Sequence, residues 1–297
     1  MIYLESFTIP SVNDETDYKI KNGKFDMACY SHTSSYPFGI FPPKGLEKLT
    51  FDNVTVFYGG NGSGKSTLLN VIAEKLNLDR TTAFNDTVFM DDYLSFCSYK
   101  FSPGVKKVPE GSAVVTSDGV FDFLLDIRSY NKGVDRKRND LFSEYDGIKD
   151  PNYHFTLNSL EDYEALKRKN EIKSGTRSAY AAKRLGGREK ETMSNGESAF
   201  SYFTEKIKEN ALYLLDEPEN SLSASLQKEL LGFLEDSARF YKCQFIIATH
   251  SPFLLSMKGA RIYDLDTVPV RTKKWSELEN MRLYFELFSS RSRDFGV

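Results

Sequence analysis

The chain has 297 residues, with 39 Lys and Arg against 42 Asp and Glu, a formal net charge of −3. That balance excludes a protein held to nucleic acid by bulk positive charge, while leaving room for a local basic surface. A 40% hydrophobic and 27% charged composition, with 23 Phe and 17 Tyr, excludes disorder along the whole chain and allows a large core. No apolar run approaches the ~18 residues a spanning helix needs. The start, Met1-Ile2-Tyr3-Leu4-Glu5-Ser6, lacks the basic and apolar stretches of a leader. A cytoplasmic protein with no membrane partner is therefore expected. Cys29, Cys97 and Cys243 are too scattered for a disulfide framework or a metal site, and His32 and His154 stand alone.

Residues 2–9 alternate and read as a strand. Residues 10–48 are polar, with turn signals at Asn22-Gly23 and Pro42-Pro43. Their aromatics Tyr36, Phe38 and Phe41 are expected to pack on the core. Leu49–Phe51 and Val54–Tyr58 are β-branched and aromatic, hence strands. A helix with Leu68, Leu69, Ile72, Ala73 and Leu76 on one stripe follows the second. Ser112–Thr116 is a further strand. Residues 128–192 are charged and poor in strand formers, a helical insertion. Alternation then resumes: a helix carrying Phe200, Phe203 and Ile207, a strand at 211–215, a helix stepping through Leu226, Leu230, Leu234 and Ala238, and strands at 245–248 and 262–265. Ser276 with Glu279 predicts a capping box for a last helix bearing Leu283, Phe285 and Leu287. Strands alternating with helices imply an α/β fold with a mostly parallel sheet covered by helices.

Three strand ends carry chemistry. Val54–Tyr58 runs into Gly59-Gly60-Asn61-Gly62-Ser63-Gly64-Lys65-Ser66, then Thr67, a full match to the P-loop pattern. Glycines let successive N–H groups face an anion, the helix start adds its positive dipole end, and Lys65 brings a mobile cation to β/γ-phosphate oxygens. The Ser66 hydroxyl is a Mg²⁺ ligand in such a site. The apolar strand Ala211–Leu215 ends in Asp216-Glu217. At the carboxyl end of a parallel strand Asp216 can hold Mg²⁺, and Glu217 can accept a proton from attacking water. Phe245–Ala248 leads into Thr249-His250-Ser251, where His250 can meet a γ-phosphate. A second anion-binding end lies at Ser194-Asn195-Gly196-Glu197, just before a helix. One chain with one loop and two anion-binding ends suggests a head-to-tail pair, each copy completing the other's site.

In these ordered motifs the chain resembles the ATP-binding cassette superfamily: Walker A at Gly59–Ser66, signature at Ser194–Glu197, Walker B at Leu212–Glu217, D-loop near Asn220–Ser223 and switch histidine at His250. Within it, Leu215-Asp216-Glu217-Pro218-Glu219-Asn220-Ser221-Leu222-Ser223, followed by Ala248-Thr249-His250-Ser251-Pro252-Phe253, resembles the non-transporter RecF/SMC/OLD-like ATPases often grouped as AAA. The resemblance spans about residues 2–288 and implies one ATPase domain over 1–297, with the insertion at 128–192 as a lid. It further implies a cycle in which ATP closes a homodimer, or a higher assembly, and hydrolysis reopens it. Two departures oppose a transporter motor. The glutamine that transporters carry after the strand following Walker A is missing, with Ser117 and Asp118 the candidate replacement ligands. The signature reads Ser-Asn-Gly-Glu. A small-molecule P-loop kinase is opposed by the signature and the switch histidine.

Ser66 and Ser194 are 128 residues apart with no sustained heptad, so a compact lid rather than a coiled-coil arm is expected. Lys167–Lys190 holds nine Lys/Arg and two Asp/Glu. It reads as a DNA contact, a partner-docking face or a solvated helix face. The expected output is control of DNA in repair, or of a separate effector or nuclease protein in anti-phage defence.

Overall fold

The structure, a computed structural model, describes residues 1–21, 35–156, 163–187 and 194–296. The Asn22-Gly23 signal, Cys29, His32, Arg188, Lys190 and Met193 lie outside them. The chain runs β1 (Leu4–Thr8), α1 (Val12–Lys21), β2 (Lys48–Thr50), β3 (Val54–Tyr58), α2 (Lys65–Leu76), α3 (Met90–Phe96), β4 (Ser98–Phe101), β5 (Ala113–Thr116) and α4 (Ser117–Lys149). It continues through α5 (Tyr163–Ser174), α6 (Arg177–Arg184), α7 (Asn195–Lys206), β6 (Leu212–Asp216), α8 (Ala224–Phe240), β7 (Gln244–Ala248), α9 (Pro252–Leu255), β8 (Arg261–Asp264), β9 (Arg271–Lys273) and α10 (Glu279–Ser290). Two compact units result: Met1–Phe121 with Ser194–Val297, and Asp122–Met193.

In the first unit, unbroken apolar runs make strands covered on both faces. All five residues of β3 and all five of β7 are buried. They join a six-stranded sheet of order β5-β6-β7-β3-β8-β9, parallel except for β9. The stripe Leu68, Leu69, Ile72, Ala73 and Leu76 on α2 is buried in the same core. Each large aliphatic side chain there stabilises the fold by roughly 1.5–3 kcal/mol. A second, antiparallel sheet has the order β2-β1-β4. Phe38 and Phe41 are buried in the core, as the turn aromatics were expected to be.

The Gln244 side chain stitches the two sheets together. Its Oε1 accepts from the N–H groups of Tyr3 (2.8 Å) and Leu4 (2.9 Å), and its Nε2 donates to the carbonyls of Leu4 (2.9 Å) and Asp52 (3.2 Å). Every hydrogen-bonding position of a fully buried amide is thereby filled.

The second unit holds the remainder of α4 with α5 and α6. Its start at Asp122 differs from the expected 128 because one helix, Ser117–Lys149, runs through both units. Tyr145, Ile172 and Tyr180 form its small core. Four of the seven described bases of the basic stretch are ion-paired within this unit. Arg168 pairs with Glu144 (3.3 Å), Arg177 with Asp146 (2.9 Å), and Lys183 and Arg184 with Glu171 (2.9 and 2.6 Å). Those two bases hold the Glu171 carboxyl down at about 2.

One local expectation fails. Ser276 does not cap α10: it lies in a 3-10 turn, Trp275–Glu277, and the residue preceding the helix is Leu278. Glu277 Oε2 accepts from the Lys274 N–H at 3.0 Å, which closes the turn one step early. Leu283, Phe285 and Leu287 are exposed, and Met281 is the buried residue of the helix. No helix among the described residues is long and apolar enough to cross a membrane.

Replacing Gln244 by Leu strands two N–H groups and two carbonyls in a dry seam. It should lower unfolding free energy by about 2–4 kcal/mol, read as a fall in the urea midpoint. An unchanged midpoint would show that the seam is wet.

Candidate nucleotide site

Parallel pairing brings the three chemical strand ends side by side. Thr116 is level with Asp216, Asp216 with Ala248, and Phe57 with Ala248 and Tyr263. The residues that follow each strand therefore share one edge of the sheet, although they lie up to 185 positions apart in sequence.

Gly64 precedes α2 at φ 100°, where side chains are disfavoured, and a Cβ there would lie 3.2 Å from both Ile40 Cγ2 and the Phe41 ring. Having no side chain, Gly64 leaves the first-turn N–H groups of α2 uncapped, as an anion-binding end requires. A pocket of ≈ 320 Å³ lined by Asn61, Gly62, Ser63, Gly64, Lys65, Ser66, Thr67 and Glu217 opens over that end. Gly60 N–H is taken by Asp266 Oδ2 at 2.7 Å. Lys44 Nζ donates to the carbonyls of Ser63 (2.7 Å) and Leu265 (2.8 Å). The loop is thus clamped from the β8 side. The uncapped amides, the cation and the open pocket fit a polyphosphate.

Lys65 is only 4% exposed. Its Nζ donates to the carbonyls of Gly59 (2.8 Å) and Gly60 (3.2 Å), meets His250 Nε2 at 2.8 Å, and lies 3.9 Å from Glu217 Oε1. Burial pulls the ammonium below its ordinary range, while Glu217 and Asp216 act in the opposite direction. His250 Nε2 is 3.3 Å from Glu217 Oε1. Glu217 itself has φ 46°, an uncommon conformation for a residue other than glycine, held by its N–H to the Ala248 carbonyl at 2.8 Å.

Ser66 Oγ donates to Asp216 Oδ1 at 3.0 Å. Burial pushes the Asp216 carboxyl up to about 6; the Ser66 bond opposes this and the Glu217 charge adds to it. A serine hydroxyl beside a carboxylate is an oxygen donor set suited to Mg²⁺. Ser117 is drawn into the group through Asn220, whose Nδ2 donates to Ser117 Oγ (3.3 Å) and to Glu217 Oε2 (3.1 Å). Asp118 is exposed in the first turn of α4, close enough for its charge to raise the Asp216 carboxyl slightly.

Ser194, Gly196 and Glu197 form a second group at the exposed start of α7. Ser194 Oγ accepts from the Glu197 N–H (3.3 Å), and Glu197 Oε2 accepts from the Ser194 N–H (2.9 Å), a capping box. The Ser194 hydroxyl, and then the Ser194 N–H, hold the Glu197 carboxyl below its ordinary value. A Cβ on Gly196 would lie 2.8 Å from Leu226 Cδ1, the tip of a flexible side chain, and 3.3 Å from the Ser221 carbonyl, so the start of α7 packs closely on the turn after β6. Sequence reasoning gave no role to Glu219, Asp266 or Lys44. Their contacts cross 31, 206 and 221 positions, and the only sequence signal was the repeated acid in Asp216-Glu217-Pro218-Glu219.

Since burial disfavours the ionised form of Asp216, its cost to folding grows as pH rises through the ordinary carboxylate range to about 6 and is full above that. In Mg²⁺-free buffer, Asp216→Asn should stabilise the protein at pH 8 by roughly 1–3 kcal/mol. The gain should vanish near pH 4, as read by thermal denaturation at both values. An equal gain at both would assign the effect to something other than ionisation.

Residues 108–256, half of the chain, match the family described as "AAA domain, putative AbiEii toxin, Type IV TA system". No curated protein matches the chain. Among solved structures it is similar to an Smc head domain with an extended coiled coil bound to the C-terminal domain of ScpA, from Pyrococcus furiosus (15% identity, 97% of this chain and 100% of that one, TM-score 0.44). It is also similar to the SMC head domain from Thermotoga maritima (12% identity, 89% and 94%, TM-score 0.35). A third is a dimeric ATP-binding cassette in a post-hydrolysis state with ADP and Pi (16% identity, 78% and 90%, TM-score 0.36). The chain belongs to this AAA-domain family.

Proposed function

We propose that the chain is an ATP-hydrolysing switch that closes as a homodimer around ATP and Mg²⁺ and controls a separate effector protein. The observation that carries this reading is the convergence of side chains from three parallel strand ends: Lys65 on His250 (2.8 Å), His250 on Glu217 (3.3 Å) and Ser66 on Asp216 (3.0 Å).

The roles follow from chemistry and position. The main-chain amides of residues 59–67 and the Lys65 ammonium hold the phosphates. Ser66 and Asp216 hold Mg²⁺, with Ser117 and Asp118 beside them in place of the transporter glutamine. Bound Mg²⁺ supplies neutralising charge at the β- and γ-phosphate oxygens. Glu217 takes the proton of the attacking water, its carboxylate oriented by the Asn220 amide. His250 reads the γ-phosphate end. The exposed start of α7, with Ser194, Gly196 and Glu197, completes the site of the partner copy once a phosphate displaces its capping box, and the helical unit Asp122–Met193 serves as a lid.

The ion pairs of Arg168, Arg177, Lys183 and Arg184 leave less free positive charge in the Lys167–Lys190 stretch than its composition suggests. They favour a protein effector over DNA as the output. The toxin–antitoxin wording of the family description fits a setting in defence.

Removing the general base while keeping the hydrogen bonds should arrest the cycle with ATP bound. In light scattering, Glu217→Gln should double in mass with Mg²⁺-ATP and stay monomeric without it. A monomer under both conditions would refute the shared site.

A further inference from the structure

We infer that Glu219 is a positioning residue for ATP turnover: it fixes the main chain of His250 against the turn that follows β6, and acts through that histidine. The inference rests on the hydrolysing function proposed above. Glu219 Oε1 accepts three hydrogen bonds at once, from Thr249 Oγ1 (2.7 Å), the His250 N–H (2.6 Å) and the Ser251 N–H (2.9 Å). A carboxylate oxygen serves three donors because its charge strengthens each bond. Its other oxygen, Oε2, is buried with no hydrogen-bond partner among the described residues.

The turn that carries Glu219 is itself rigid. Glu217 N–H is tied to the Ala248 carbonyl, the Asn220 N–H donates back to the Glu217 carbonyl at 3.1 Å, and the intervening Pro218 is buried. Consecutive residues of this turn therefore hold consecutive residues of the loop after β7: Glu217 by its main chain holds Ala248, and Glu219 by its side chain holds 249–251. The far side of the loop is held by Gln227 of α8, which accepts from Ser251 Oγ (2.8 Å) and donates to the Leu222 carbonyl (3.0 Å).

What this grip positions is the imidazole, with Nε2 at 2.8 Å from Lys65 and 3.3 Å from Glu217. Displacement of a reacting-site group by ~1 Å can cost two orders of magnitude in rate. Thr249 and Ser251 are buried and His250 is half-buried, so loss of the carboxylate leaves donors short of an acceptor. Loss of Glu219 should therefore loosen the loop and lower Tm somewhat, while the large core keeps the domain folded.

The test compares wild type with Glu219→Ala and Glu219→Gln, the latter keeping an oxygen toward the three donors. Hydrogen–deuterium exchange of the 249–256 peptide, without nucleotide, reads the grip directly. In Glu219→Ala the His250 and Ser251 amides should exchange at least ~10-fold faster, and in Glu219→Gln they should stay slow. Steady-state ATP hydrolysis reads the consequence: at a temperature where both variants are folded, kcat of Glu219→Ala should fall ~10-fold or more with KM unchanged, and Glu219→Gln should recover most of it. In a His250→Ala background, adding Glu219→Ala should change kcat by less than ~2-fold. Unchanged exchange, a loss expressed in KM, or a full loss in the His250→Ala background would overturn the inference. A wild type that turns over no ATP would instead overturn the proposed function, with the exchange result still deciding whether Glu219 holds the loop.

Discussion

The site depends on a buried cation held among incomplete partners. Lys65 has two carbonyls, an imidazole and a more distant carboxylate around it, in a setting that penalises its charge. A phosphate group would be a stronger partner than any of them. The same reasoning applies to Asp216, whose burial disfavours its ionised form in the absence of a cation. Cation and anion are each held where the free protein stabilises them poorly, the usual consequence of building a site for a ligand rather than for stability.

Parallel strands make this possible. Because β6, β7 and β3 are neighbours in register, any polar residue just past their carboxyl ends falls on one edge, while both faces of these strands stay buried. The second sheet and the Gln244 seam hold the start of the chain against the same core. The clamp on the P-loop from Asp266 and Lys44, and the clamp on the histidine loop from Glu219, come from the turns between strands.

The sequence was most legible where residues are locally unambiguous. Unbroken apolar runs identified β3, β6 and β7, and the motifs at their ends located Lys65, Asp216, Glu217 and His250. It was least legible where local pattern is weak. In helix α1 the buried residue is a carboxylic acid, Glu15, while the apolar Val12 and Ile20 are exposed and its start rests on the short-range Ser11–Asp14 pair, so it has no apolar period to read. The short strands β4 and β9 lie at sheet edges with mixed polarity. The apparent capping box at Ser276 was displaced by a competing turn. Glu219, Asp266 and Lys44 act through contacts set by topology, which no local spacing records.

Each chain carries one phosphate loop at the sheet edge and one capped helix start elsewhere, with Asn61 and Asn195 exposed on the two. If two copies complete each other's sites, these residues approach one another only across the interface and only when nucleotide draws the copies together. The direct measurement is disulfide trapping of the Asn61→Cys, Asn195→Cys double variant, with the native cysteines replaced. The account requires a covalent dimer that forms with Mg²⁺-ATP and not in its absence. Cross-linking that ignores nucleotide, or that never occurs, would contradict it.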